Sequence, residues 1–309
     1  MAFRCRATSA TRPATINAGP PSPLKRTVLE INPREAKSKD SASHLSEADA
    51  ESFRKNAKIP RVIFQHFKQV VVPTGMFKAV HSIHTANPEF DYQFFNDEEA
   101  REFMVDHMNK SVVRAWDALI PDAFRSDLFR YSYLHVKGGV WIDPDFVALR
   151  PLAHLLKEGD TFIASQEERG GANVVYNAFI AATPKHPIIA KLLDDVVGLI
   201  SKRQYSYDAM AITGNQALTR AFVDTILEEP EGNKVYDKHG GVRLLKHHKN
   251  PGCAIGEVKW QGHYYFFSRY PTYKREMEWF ENQGGYREFW KGKNVYESVQ
   301  NMLKLPGLK

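Results

Sequence analysis

The chain has 309 residues, 43% of them hydrophobic and 12% aromatic, enough to bury a sizeable core. Its formal charge of +6 is concentrated before residue 59, where 11 basic residues face 6 acidic ones; beyond it 31 and 30 nearly cancel, which excludes a nucleic-acid-binding surface on the folded part. Two cysteines, Cys5 and Cys253, exclude a disulfide framework and a cysteine metal site and point to a reducing compartment, and no run approaches the roughly 18 apolar residues of a membrane span.

Residues 1–58 are rich in Ser, Thr, Ala, Pro and charge and are expected to form a disordered basic tail or leader. The first 27 hold Arg4, Arg6, Arg12, Lys25 and Arg26 and no acid, a composition shared by organelle transit peptides, bacterial secretion leaders and plain tails. A short helix is expected from Ser46. Residues 59–309 form the folded domain. Val62-Ile63-Phe64 reads as a buried strand. A helix over residues 76–85 stops at Asn87-Pro88, and residues 91–95 form a second strand. Asn96 caps a helix running to Met108, and two more helices follow over 112–119 and 123–136. Gly138-Gly139 closes the last of these as a left-handed cap before a third buried strand, Val140-Trp141-Ile142. Strands over 161–165 and 177–182 and helices over 187–200 and 216–227 complete the series. The alternation predicts an α/β domain with a mixed, largely parallel sheet flanked by helices.

The third strand runs into Asp143-Pro144-Asp145. Ligands of open α/β sheets bind beyond the carboxyl ends of strands. Two carboxylates one residue apart can converge on a hard divalent cation and leave positions for water and phosphate oxygens. Such an ion stabilises the charge of a departing diphosphate. Asp-Pro-Asp is also an ordinary turn, and the preceding helix decides between the two readings. There Asp127 and Arg130 sit three apart on one face amid Leu128, Phe129, Tyr131, Tyr133 and Leu134. A charged pair in so apolar a helix is partly buried, with Arg suited to phosphate and Asp to sugar or ribose hydroxyls.

The ordered string Ser126-Asp127-Leu128-Phe129-Arg130-Tyr131, Leu134, Gly138-Gly139-Val140-Trp141-Ile142-Asp143-Pro144-Asp145 and Pro151-Leu152 resembles glycosyltransferase family 32. That family includes yeast initiating mannosyltransferases and bacterial capsular and lipopolysaccharide sugar transferases, and the clostridial glucosylating toxins share its core. Trp141 replaces the family's usual Tyr. The resemblance continues more weakly through Ile59-Pro60-Arg61-Val62-Ile63-Phe64-Gln65-His66-Phe67, where Phe67 stands for a Trp. It includes Asn87-Pro88, Asn177 to Ala182, and Thr213-Gly214-Asn215-Gln216-Ala217-Leu218-Thr219, where Asn215 replaces Pro.

The resemblance implies a GT-A-like fold, a UDP- or GDP-sugar donor, Mn2+ or Mg2+, and retention of anomeric configuration. By position it makes Asp145 the direct metal ligand and Asp143 a contact to both ribose and metal. Asp127 and Arg130 hold donor sugar and phosphate, Asn177 lies beside the donor sugar, and Phe67 packs on the base or in the core. A third metal ligand is expected near the C-terminal end. His263 is the candidate, with His247 and His248 as competitors. The aromatic stretch from Trp260 to Trp290 suits core packing of a C-terminal lobe and, as an alternative, an acceptor platform. The expected partners are a nucleotide-sugar donor and a glycan, glycolipid or protein acceptor, with no nucleic acid and no transmembrane segment. The expected place is the cytosolic side of surface-polysaccharide synthesis, possible peripheral membrane contact included. Three other readings stand beside it: a secreted effector that glycosylates a host protein, a non-catalytic carbohydrate-binding protein, and a phosphohydrolase. The last leaves the Asp127–Arg130 helix without a role.

Overall fold

A computed structural model describes residues 28–30, 57–169, 172–226, 241–249, 255–280 and 285–302. Its strands are β1 (Val28–Glu30), β2 (Val62–His66), β3 (Val71–Pro73), β4 (Asp91–Phe95), β5 (Gly139–Ile142), β6 (Val147–Ala148), β7 (Phe162–Arg169), β8 (Ala172–Ala182), β9 (Val242–Lys249), β10 (Gly256–Trp260) and β11 (His263–Phe267). The helices are α1 (Thr74–Ala86), α2 (Asp97–His107), α3 (Lys110–Ala118), α4 (Asp122–Lys137), α5 (Pro187–Ser201), α6 (Asn215–Ile226), α7 (Tyr273–Phe280), α8 (Tyr286–Lys291) and α9 (Val299–Met302).

The mixed α/β architecture is present: a nine-stranded sheet in the order β4-β2-β5-β8-β7-β9-β10-β11-β6, flanked by helices. Its expected parallel character is confined to β4–β2–β5 and to β7–β9, and the other pairings are antiparallel. Short connections impose this. Arg169 pairs with Ala172, and Trp260 pairs with His263 across Gln261-Gly262, whose φ values of 48° and 80° suit a tight hairpin turn. Consecutive strands joined so closely can only run antiparallel.

The helix boundaries follow local chemistry. Asn96 and Glu99 form a reciprocal capping box at the start of α2. The chain leaves α4 through Gly138 (φ 67°, ψ −160°), a conformation open essentially to glycine and different from the left-handed cap expected. A Cβ on Gly139 would meet the carbonyl oxygen of Val62 at 2.7 Å, so the second glycine lets β5 lie against β2. The helix α4 is nearly encased: Phe124, Leu128, Phe129, Tyr131, Tyr133 and Leu134 are buried, and Tyr133 stacks on Phe64 of β2 at 3.9 Å between ring centres.

Inside the segment expected to be a tail, β1 pairs antiparallel with β3. The rest of residues 1–56, including the helix expected from Ser46, lies outside the described residues, as do both cysteines. Among the described residues no helix is long and apolar enough to cross a membrane.

Candidate active site

Three elements converge where β5 ends. The turn after β5 carries Asp143 and Asp145, α4 presents Asp127 and Arg130, and β8 contributes Asn177. The turn is docked by backbone bonding, Asp143 N–H donating to the Ala178 carbonyl at 2.8 Å. Gln65, buried in β2, donates from Nε2 to the Ile142 carbonyl at 3.0 Å, and Tyr92 donates to its Oε1 at 2.6 Å. The peptide before Asp143 is thereby fixed from the sheet side.

The charged pair on α4 is buried, as its apolar neighbours imply. Arg130 Nη2 lies 3.1 Å from Asp127 Oδ1, and its Nη1 lies 3.1 Å from Asp143 Oδ1. The same Nη1 donates to the Asn177 carbonyl at 2.7 Å, and the guanidinium lies 4.3 Å from the Trp141 ring centre. Asp127 accepts from Asn177 Nδ2 at 2.9 Å and from Thr213 Oγ1 at 2.8 Å. Trp141 Nε1 donates to Asp143 Oδ1 at 2.8 Å, a contact Tyr could not make in this form. Burial raises the Asp127 carboxyl above the usual carboxylate range, against the pull of Arg130 and Thr213. Burial also works against the Arg130 charge, but Asp143 and Asp127 hold it protonated.

Asp145 differs. Its Oδ1 is buried and accepts no hydrogen bond, and its Oδ2 meets only Arg269 Nε, at 3.8 Å. Burial, then the negative charge of Asp143, pushes its carboxyl up to about 8. An orphaned carboxylate oxygen beside a second carboxylate fits a hard divalent cation. Among the described residues no group of three or more His, Cys, Asp and Glu gathers around one point. The chain therefore offers such an ion Asp143 and Asp145, and the other positions fall to water or ligand oxygens.

Asp127, Arg130, Asp143, Asp145, Asn177 and Phe67 all line one cavity of about 290 Å³. Phe67 stacks on Phe280 of α7 at 6.1 Å between centres, so part of its surface packs rather than facing a ligand. The structure does not bring His263 there. It is exposed at the β10–β11 hairpin and does not line the cavity, because the turn that starts β11 lies at the end of the strand away from Asp145. His247 is buried against Tyr176, stacked at 4.7 Å, and His248 is exposed on β9; neither lines the cavity. The aromatic C-terminal stretch divides: Tyr265 and Phe266 are core, while Tyr273, Tyr286 and Phe289 line the cavity.

Sequence reasoning missed Arg269, Tyr176 and the bracing by Thr213 and Asn215. The string Thr213 to Thr219 gave a signal for the last pair, whereas Arg269 has none locally. It is set by strand register. β11 pairs with β6 as Phe267 with Val147, and the bend two residues beyond brings Arg269 within 3.8 Å of Asp145.

Known proteins resemble this chain in sequence and, more distantly, in fold. The family described as a glycosyltransferase sugar-binding region containing a DXD motif matches residues 73–166. An uncharacterised glycosyltransferase of Acanthamoeba polyphaga mimivirus is 26% identical over 181 residues, 58% of this chain and 69% of that protein. Inositol phosphoceramide mannosyltransferase 1 of Schizosaccharomyces pombe is 31% identical over 144 residues, 45% of this chain. The match spans 43% of that yeast protein, less than half its length. Among solved structures, the PaToxG glycosyltransferase aligns with a TM-score of 0.42 at 16% identity, covering 58% of this chain and 78% of that one.

Proposed function

We propose, from the match of residues 73–166 to the DXD-motif sugar-binding region of glycosyltransferases, that the chain moves a hexose from a nucleoside-diphosphate sugar to a lipid-linked or glycan acceptor, with a divalent metal. One observation carries this: the buried Asp127, Arg130 and Asn177 form one bonded unit with the partly exposed Asp143, its open side is a cavity, and Asp145 faces that cavity with an unpartnered oxygen. A buried carboxylate oxygen without a partner, as at Asp145, is costly unless a ligand uses it.

In the proposed reaction the bond between the sugar's anomeric carbon and the terminal phosphate oxygen breaks, its electron pair leaving with the nucleoside diphosphate. The acceptor hydroxyl forms the new bond to the same carbon, and its proton passes to the departing diphosphate. Retention follows when both events share one face, the mode that the family resemblance supports. Mn2+ or Mg2+ held by Asp143 and Asp145 would supply charge stabilisation for the diphosphate. Asp127 accepts hydrogen bonds from donor-sugar hydroxyls, and Asn177 fixes the rotamer of Asp127. Arg130 keeps Asp127 and Asp143 apart by neutralising both.

The relatives named as mannosyltransferases support mannose as the sugar and an inositol-phosphate lipid as the acceptor. The cavity wall supports an amphipathic acceptor as well, since Met76, Ile120, Phe124, Met210, Met277 and Phe289 line it beside the carboxylates. We assign residues 59–309 to the catalytic unit.

A thermal-shift panel of UDP- and GDP-sugars with and without manganese tests the donor half. A ligand that binds only the folded state raises its melting temperature, so one nucleotide-sugar should stabilise the chain in the presence of metal. No metal-dependent shift with any of them would sink the reading.

A further inference from the structure

Three cations other than His66 line the cavity among the described residues: Lys68, Arg130 and Arg269. Lys68 is paired with Asp122 at 2.9 Å, on the rim. Arg130 is the residue that sequence marks for phosphate, but its guanidinium is already engaged. Nη1 reaches the Asn177 carbonyl and Asp143, Nη2 reaches Asp127, Nε points at the Ser126 carbonyl at 3.4 Å, and its face covers Trp141. Its side chain is 6% exposed. Releasing it to bind phosphate would take the shared cation away from the buried Asp127 and from the partly exposed Asp143, which is unfavourable for the buried carboxylate above all.

Arg269 has the opposite character. Its side chain is 47% exposed, at the cavity wall. Its contact with Asp145 is 3.8 Å long, beyond hydrogen-bond range, so its N–H fork remains available. Tyr273 supports the guanidinium from one side at 4.9 Å from the ring centre, which narrows its sweep without using its donors. The pairing of β11 with β6 ends two residues before it, and the bend that follows leaves its Nε 3.8 Å from Asp145, the carboxylate with the orphaned oxygen.

We propose that Arg269 is the residue of this chain that binds the donor's diphosphate, and that Arg130 is a positioning residue that acts through Asp127 and Asp143. This rests on the nucleotide-sugar reading above and assigns the cation within it. A planar guanidinium matches two oxygens of a phosphate group bidentately, and a diphosphate gathers charge as it leaves. In the ligand-free chain Asp145 balances Arg269 loosely. On binding, Arg269 exchanges that long contact for phosphate oxygens, and Asp145 is left to a cation.

Calorimetric titration of the full chain with UDP and with GDP, manganese present, tests this. Arg269→Ala should weaken binding of whichever diphosphate the native chain takes by about 10- to 100-fold, the scale of a charge-assisted pair. Its melting temperature without ligand should stay at the native value. Arg269→Lys, which keeps the charge and loses the fork, should fall between the two. Arg130→Lys should lower the ligand-free melting temperature, the signature of a positioning role. The assignment is overturned if Arg269→Ala binds diphosphate as tightly as the native chain, or if the Lys and Ala variants bind alike. A native chain that takes up neither diphosphate would overturn the donor reading itself and this assignment with it.

Discussion

The two walls of the cavity are built in different ways. On one side α4, β5 and β8 hold Asp127, Arg130, Asp143 and Asn177 in a network where each polar group has a protein partner. On the other, Arg269 and aromatic residues of α7 and α8 face the same space, Arg269 with a long contact to Asp145 and Tyr286 donating to the Met210 sulfur at 3.0 Å, and neither helix has a buried residue. The first wall is preorganised before any ligand arrives, which suits a reaction whose charge develops at fixed atoms. The second has freedom to adjust, which suits an acceptor of variable shape. Asp145 stands between them, attached to the first by chain and to the second only through Arg269.

The sharpest way to break this contrast is to remove the centre of the rigid wall. Arg130→Met should leave the buried Asp127 and the partly exposed Asp143 without their shared cation, lowering stability by about 3 kcal/mol and abolishing transfer. Chemical denaturation checks it. A variant as stable as the native chain would show that the network is not the brace described here.

Asp145→Asn should separate function from stability. Transfer should drop by about 10²- to 10³-fold or more. The metal-free fold should gain stability. The Asp145 carboxyl is raised to about 8, above its unfolded value, so keeping it ionised costs the folded state as pH rises from about 4 towards 8. Asn removes that cost. In chelator, the variant's melting temperature should match the native one near pH 4 and exceed it by pH 8, with a gain above about 1 kcal/mol. Manganese and the donor should reverse the order by stabilising only the native chain. Equal melting temperatures at pH 8 would contradict the isolation of Asp145.

How much of each wall was legible follows from the same contrast. The rigid wall is written in short strings. Asp127 and Arg130 are three apart on one helix, and Asp143 and Asp145 flank one proline, so helical period and a strand end suffice to place them. The mobile wall depends on pairings remote in sequence. Arg269 approaches Asp145 where the chain leaves β11 beside β6, and α4 meets α8, a helix about 150 residues further along the chain. His263 is the expected third metal ligand only by its place near the C-terminal end, and a hairpin turn puts it at the end of its strand away from Asp145. Similarly, alternating strands and helices carry no local sign of the two tight hairpins, or of the antiparallel pairings β5–β8 and β6–β11 between strands remote in sequence.

A smaller effect is expected behind the base of the cavity. His66 Nε2 and Asp97 Oδ1 are 3.0 Å apart, and Arg125 Nη1 lies 3.0 Å from Asp97 Oδ2. Burial raises the Asp97 carboxyl, but the hydrogen bonds and charges of His66 and Arg125 outweigh it and hold it below the ordinary range. A depressed carboxyl contributes stability that is present above its unfolded pKa and lost as pH falls through its folded one. Asp97→Asn should therefore cost about 1–2 kcal/mol at pH 7, and the difference should close below about pH 4. An unchanged gap from pH 7 to pH 3 would show that packing of His66, and not charge, holds the site.

The mildest expectation concerns β1, whose three residues pair with β3 at the start of α1. That helix supplies Met76 to the cavity wall, so the pairing steadies the mobile side without entering the rigid one. Deleting residues 1–27 spares the strand and should leave stability and transfer unchanged. Deleting residues 1–30 removes it and should cost about 1 kcal/mol or less, since the ribbon adds only a few backbone hydrogen bonds at its edge. Diphosphate affinity should not move in either deletion, because none of its proposed contacts lies on β3 or α1. A loss of affinity confined to the longer deletion would mean that the N-terminal strand reaches the donor side, and the division between the two walls would have to be redrawn.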